Sequence, residues 1–413
     1  MNSELLQKYA EFAVKIGTNP QPEQTLIIVS PIEAASFARM CANTAYKDCK
    51  VKDVVIQYND EKLDRIRMEN GTTEILTDIK PHKLAERLDY LESDGSACFL
   101  YIIAEDPEIF KGLDTAKINA VNKASRTALL PARKYTMNNL VQWSIVALPT
   151  PAWATKVFPG IPTNEAVEKL GQAIFDVCRV TNGNPVAEWK SHLAYLNKCK
   201  NYINSLNLDH VHLTNSLGTD LTIGLAKDSL WEGAISKTPK GYEFLANIPT
   251  EEIFTAPHKD KVNGIVFGTK PYVYNGNIIK DFWVKFKDGK VIEHGAKEGA
   301  ELLGQLLDTD EASRSIGELA FVPSSSPINK SGILFYETLF DENAACHIAF
   351  GDGYPSCIEG GNNMTQEELT SRGLNHSLIH EDVMIGSDDL QILGYTKTGS
   401  EILIFQKGEW VIK

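Results

Sequence analysis

In the stretch "NHSLIHEDVMIGS", residues 375–387, His380 and Asp382 stand two positions apart inside an otherwise apolar run. Side chains at i and i+2 share a face on a strand, whereas on a helix they diverge by about 200°. A strand makes the pair a chelate; the competing reading is a structural His380 whose imidazole Asp382 orients. His376 would join His380 only on a helix, and its surroundings, "GLNHS", read as a turn, so it stays outside the candidate set.

Other strand-like segments of the second half each carry one ionisable group that their pattern does not require. Glu318 heads the apolar run "IGELAFVP", and a carboxylate is rarely buried without a partner or a metal. Its plainer reading is a strand-end charge facing water. His347 in "ACHIAFG" points inward on a strand, as a ligand or as a core histidine, while Cys346 turns to the opposite face and reads as packing. "NIPTEEIFTAP" is bracketed by Pro249 and Pro257, which favour extended backbone. Glu251 and Glu252 then face opposite ways. Only one enters a given site, the other facing solvent or a second layer, and the pattern does not choose between them.

Two Glu, one Asp and two His without sulfur suit hard or borderline divalent ions: Zn²⁺, Co²⁺, Mn²⁺ or Mg²⁺. Five protein ligands exceed what one catalytic zinc takes, and three carboxylates, some able to bridge, point to two neighbouring ions that activate water for hydrolysis. Positioning them requires folding, since Glu252 and Asp382 are 130 residues apart.

The elements that must do this fall into two textures. From residue 25, "TLIIVS", "VKDVVIQYND" and "CFLYIIAED" read as strands and "PIEAASFARMCANTAYKDC" as a helix between them. Strands interleaved with helices predict an α/β N-terminal domain with a parallel-type sheet. "NEAVEKLGQAIFDVCRV" and "PVAEWKSHLAYLNKCKNYINSLN" predict two helices reaching about residue 207. Beyond them come short strands punctuated by Gly, Asn and Asp, as in "HVHLTNSLGTDLTIGL", predicting a β-rich, mainly antiparallel α+β catalytic domain. The expected division is 1–190 and 191–413.

With 413 residues the chain exceeds a single core's usual size. A net charge of -13 argues against nucleic acid or an anionic membrane as partner. No apolar run approaches the roughly 20 residues needed to span a bilayer. Cysteines at 41, 49, 98, 178, 199, 346 and 357 include no Cys-x-x-Cys pair, and the start, "MNSELLQKYAEFAVKIG", reads as an amphipathic helix rather than a signal peptide. A cytoplasmic protein with reduced thiols is expected. The chain lacks a Gly-x-Ser-x-Gly elbow, a Gly-x-Gly-x-x-Gly turn and a phosphate loop, so a serine hydrolase or nucleotide enzyme fits poorly.

"NIPTEEIFTAP", "GELAFVP", "FYETLFDENAACHIAFGDGYP" and "NHSLIHEDVMIGS", with "LPTPAWATKVFP" and "EWKSHLAYLN" earlier, resemble the thermophilic-type metalloaminopeptidases, the aminopeptidase T and aminopeptidase S family, over nearly the whole chain. The resemblance implies metal ligands at Glu252, Glu318, His347, His380 and Asp382, so it selects Glu252 over Glu251. It places an active-site tyrosine at Tyr354, whose phenol would stabilise the oxyanion. Proton transfer then falls to one of the carboxylates, Glu318 or Glu252, and the sequence does not choose between them. The resemblance further implies two divalent ions, a homodimer enclosing the active sites, and short peptides with a free N-terminus as substrates. The family more often has an apolar residue and Phe around the aspartate; here Glu381 and Val383 flank it, and Glu381 is expected to point away from the ligand face. The expected reaction is hydrolysis of the N-terminal residue through a metal-activated water. The alternatives are a related metal-dependent amidase or dipeptidase, and a non-catalytic metal-binding protein.

Overall fold

The computed structural model describes residues 2–93, 96–104, 106–181, 183–274 and 277–412. Two compact units divide the chain, Met1–Ser191 with Ile235–Pro249, and His192–Ala234 with Thr250–Lys413.

In the first unit, four parallel strands lie in the order Asp53–Asn59, Thr25–Pro31, Ala97–Ile103, Trp143–Ala147. Leu26, Ile27 and Ile28 on the second of these are fully buried, as a parallel strand covered on both faces requires. Side-chain caps fix where helices begin. Asn2 Oδ1 accepts the backbone N–H of Glu4 ahead of Ser3–Phe12, and Asp114 does the same for Ala116 ahead of Thr115–Met137. Tyr9, on the first helix, packs its ring against Phe37 and Phe175 at 5.5 and 5.6 Å. The returning segment Ile235–Pro249 extends the sheet, with Ile145 N–H donating to Ala246 O and Ile248 N–H to Ile145 O.

The second unit contains two sheets in which every pairing among the described residues is antiparallel. The larger is nine-stranded and includes Leu208–Thr214, Pro257–Phe267, Asn277–Lys287 and Glu401–Gln406. The smaller runs Glu232–Gly233, Ile253–Thr255, Ile316–Phe321, His347–Gly351, His380–Met384, in chain order. Its aromatic residues meet the larger sheet, Phe321 at 5.4 Å from Phe405 and Phe350 at 6.4 Å from Phe286. Because side chains alternate, the residues between these aromatics face the other way. Among the described residues no helix is long and apolar enough to cross a membrane.

Candidate metal centre

The register of the small sheet brings the candidate residues onto that other face. Glu318 lies directly opposite Ala349, and Ala349 opposite Asp382, across three adjacent strands. His347 is two residues from Ala349, and His380 two from Asp382, so all four ionisable groups share one face. Ala320 pairs with His347 and Phe254 with Ala320, which continues the face toward Glu252.

One irregularity is needed for this. The register slips between Ile316 and Glu318, placing two residues on one strand against one on the next. Without the bulge, Glu318 would oppose Ile348 and point into the aromatic layer. Gly317 is the extra residue. A Cβ there would come within 2.1 Å of Asp352 O and 2.5 Å of Gly351 O, so a side chain is sterically excluded. Glu318 therefore lies inside its strand and buried, not at a strand end facing water.

The donor atoms converge. His347 Nε2 is 3.1 Å from Glu252 Oε2, 3.5 Å from Glu318 Oε1 and 4.0 Å from Asp382 Oδ1. His380 Nε2 is 3.5 Å from Glu318 Oε2 and 3.6 Å from Asp382 Oδ1. Two groups result, Glu252–Glu318–His347 and Glu318–His380–Asp382, each with its atoms within 4.8 Å of one another, and Glu318 belongs to both. The imidazoles are oriented from behind. His347 Nδ1 lies 3.1 Å from Ala345 O and His380 Nδ1 2.8 Å from Asp352 O. A carbonyl only accepts, so each Nδ1 carries a proton, which leaves Nε2 as the nitrogen that can meet a cation once it is deprotonated. His376 instead bonds the Asp352 carboxylate at 2.9 Å, outside the cluster. Cys346 exchanges hydrogen bonds with the backbone of Val322 and is a packing residue.

Tyr354 follows the strand His347–Gly351 in a short turn, its ring 4.9 Å from that of His380 and 5.7 Å from Phe254. Two features escape sequence reasoning. Glu251 and Glu252 precede their strand, which begins at Ile253, so alternation does not separate them, and both are buried. Glu251 lies 3.5 Å from His192 Nε2 rather than facing solvent. The second is Glu342, a buried carboxylate that feels the charges of Asp382, Glu252, His347 and Glu318. Its signal was an acidic residue five positions before His347 in "DENAACH".

The site's electrostatics without cations are strained. Burial pushes the Glu342 carboxyl well above its ordinary range, and Asp382 and Glu252 push it further. Burial likewise raises Glu318, with His347 and His380 pulling the other way. For both histidines burial opposes the charged form, but neighbouring carboxylates outweigh it and raise them. His347 Nε2 and Asp382 Oδ1 are buried without a hydrogen-bond partner of acceptable geometry, the arrangement expected of donors that meet a metal. Oxygen and imidazole donors of this kind fit divalent ions.

A pH dependence follows for the metal-free protein. Histidines raised above their ordinary 6.5 contribute stability that is complete below that value and lost as pH rises through the folded-state value. Carboxyls raised above 4.5 act in the same sense, since the folded state holds protons that the unfolded chain has released. The chelated protein should therefore melt at a lower temperature at about pH 8 than at about pH 6. Calorimetry showing the reverse order would contradict the assignment of buried, cation-deprived charge.

A family model for thermophilic metalloprotease (M29) matches residues 2–410. Aminopeptidase 2 of Geobacillus stearothermophilus is 43% identical over 408 residues, covering 99% of this chain and 98% of its own. Aminopeptidase T of Thermus aquaticus is 38% identical over 410 residues, covering 99% of each. The solved structure of wild-type AmpT from Thermus thermophilus aligns at a TM-score of 0.91 with 36% identity, again over 99% of both chains.

Proposed function

The chain belongs to the thermophilic metalloprotease (M29) family, and from that membership we propose that it is a metal-dependent aminopeptidase, removing the N-terminal residue from short peptides. The observation that carries this reading is the pair of carboxylate–imidazole groups sharing Glu318, with His347 Nε2 and Asp382 Oδ1 lacking a hydrogen-bond partner of acceptable geometry.

Glu252, Glu318, His347, His380 and Asp382 are the proposed ligands, and Glu342 supplies a further carboxylate. Charge supports two ions. Four sequestered carboxylates, Glu252, Glu318, Glu342 and Asp382, would carry four negative charges as ligands beside two imidazoles whose Nδ1 protons are already committed. Two divalent cations balance them, whereas one would leave about two buried charges uncompensated. When bound, such ions supply Lewis acidity, polarising the scissile carbonyl and lowering the pKa of water toward neutrality.

The chain's own residues supply the rest. Glu318, placed in both groups, is assigned to accept the proton of the attacking water and return it to the leaving amine. Tyr354 is assigned to donate its phenolic proton in a hydrogen bond to the oxyanion. Burial, and then Glu318 and Asp382, raise this phenol well above its ordinary value of 10.0, so it stays protonated and a donor. Tyr354→Phe should lower kcat by about 10²–10³-fold with metal content unchanged; undiminished kcat would remove Tyr354 from the mechanism.

A free-amine aminoacyl amide should be cleaved and its N-acetylated form spared. Equal cleavage of both would replace this reading with that of a general amidase. A homodimer in the cytoplasm belongs to the same proposal. Cys41, Cys49, Cys98, Cys199, Cys346 and Cys357 as free thiols suit a reducing compartment, and light scattering giving a monomer would overturn the dimer.

A further inference from the structure

We propose that Asn343 is a positioning residue that sets the Glu342 carboxylate at the metal pair and ties it to the turn carrying Glu252. The proposal rests on the metal reading above and deepens it.

Asn343 is completely buried, yet none of its polar atoms is idle. Its Oδ1 accepts the backbone N–H of Glu251 at 2.7 Å, across 92 residues of sequence. That N–H can only donate, which fixes the sense of the amide and places the NH₂ at the other end. There Nδ2 donates to Leu339 O at 3.1 Å and to Glu342 Oε1 at 3.4 Å. The residue's own carbonyl accepts the Ser326 hydroxyl at 2.6 Å. One rigid amide thus joins the segment that carries Glu252 to the segment that carries the buried Glu342 carboxylate. One of them, Glu251–Glu252, sits outside regular strand pairing, so it lacks the register that positions Glu318 and Asp382.

The chemistry suits this role. A carboxylate that gives one oxygen to an N–H donor is held in rotation and keeps its other oxygen free to meet a cation, as outer hydrogen bonds do around metal sites. Glu342 has three rotatable bonds, and a single Oε1 contact removes much of that freedom. Asn343 touches neither substrate nor ion and acts through its neighbours.

Asn343→Asp tests it, because aspartate keeps the size and the acceptor toward Glu251 N–H but replaces the NH₂ with an oxygen facing two acceptors. Chelator-stripped protein is titrated with Co²⁺, read by calorimetry and visible absorption. The parent should bind two ions. N343D should bind one of them about 10–100-fold more weakly, with kcat for leucine amide reduced and KM little changed. The loss of Co²⁺ affinity should disappear when the same change is made in an E342Q background. Should N343D not fold, Asn343→Ser removes the same donor and is read in the same way.

A parent-like Co²⁺ isotherm in N343D or N343S, with only the melting temperature lowered, would overturn the proposal. So would an affinity loss of the same size in the E342Q background. A parent protein that takes up no Co²⁺ would instead bring down the metal reading itself, which makes the two failures distinguishable.

Discussion

Glu318→Gln is expected to lower kcat/KM by about 10⁴-fold or more, corresponding to roughly 5.5 kcal/mol of lost transition-state stabilisation. Glu318 is the one side chain common to both ligand groups, and glutamine keeps its volume while giving up the charge and the second anionic oxygen. No other substitution at the site removes a donor from both groups at once. The same change should leave the metal-free protein at least as stable, because it deletes a buried carboxyl that burial already pushes toward neutrality. Loss of turnover with retained or raised melting temperature without metal is therefore the combined signature. If the variant kept parental kcat/KM, Glu318 would be neither a shared ligand nor the proton carrier.

Metal removal should have the second largest effect. Chelation is expected to abolish turnover and lower the melting temperature by about 10 °C or more. A cation present at 1,000 times its dissociation constant stabilises the folded state by about 4 kcal/mol, and each kcal/mol moves the midpoint of a unit this size by about 2–4 °C. Restoring Zn²⁺, Co²⁺ or Mn²⁺ should return both properties together. Activity that survives exhaustive chelation would contradict the account, as would a melting temperature indifferent to the added ion.

The fold was legible in the sequence where periodicity and punctuation were strong. "TLIIVS", "VKDVVIQYND" and "CFLYIIAED" are three of the four parallel strands, and the two long helices occupy Thr163–Val177 and Pro185–Ser205. The site was legible as chemistry before it was legible as geometry. Isolated ionisable groups in apolar strands named Glu318, His347, His380 and Asp382, and the i, i+2 spacing of the last two holds on the strand His380–Met384. Family resemblance was needed to separate Glu252 from Glu251, because the segment is not a strand where these residues lie.

What remained hidden has a physical reason in each case. Proximity depended on strand order, and the four ligand-bearing segments become neighbours through long excursions that no local pattern records. Alternation counted from Ile316 gives Glu318 the wrong face, because one bulge at Gly317 intervenes, a single-residue event that no local pattern announces. Glu342 stood next to Asp341, and an acidic pair in sequence looks like a solvated turn. In the fold the two diverge in role. Asp341 accepts the backbone N–H groups of Phe335 and Glu337, and burial raises its pKa to about 7, while the Glu342 carboxyl accepts from Asn343 Nδ2 and feels the cluster's charges.

The most direct measurement is anomalous diffraction at the cobalt edge from crystals of Co²⁺-loaded protein. The account predicts two peaks per chain on either side of the Glu318 carboxylate, one contacted by Glu252 and His347 and the other by His380 and Asp382. A single peak, or ions held by residues other than these and Glu342, would contradict it.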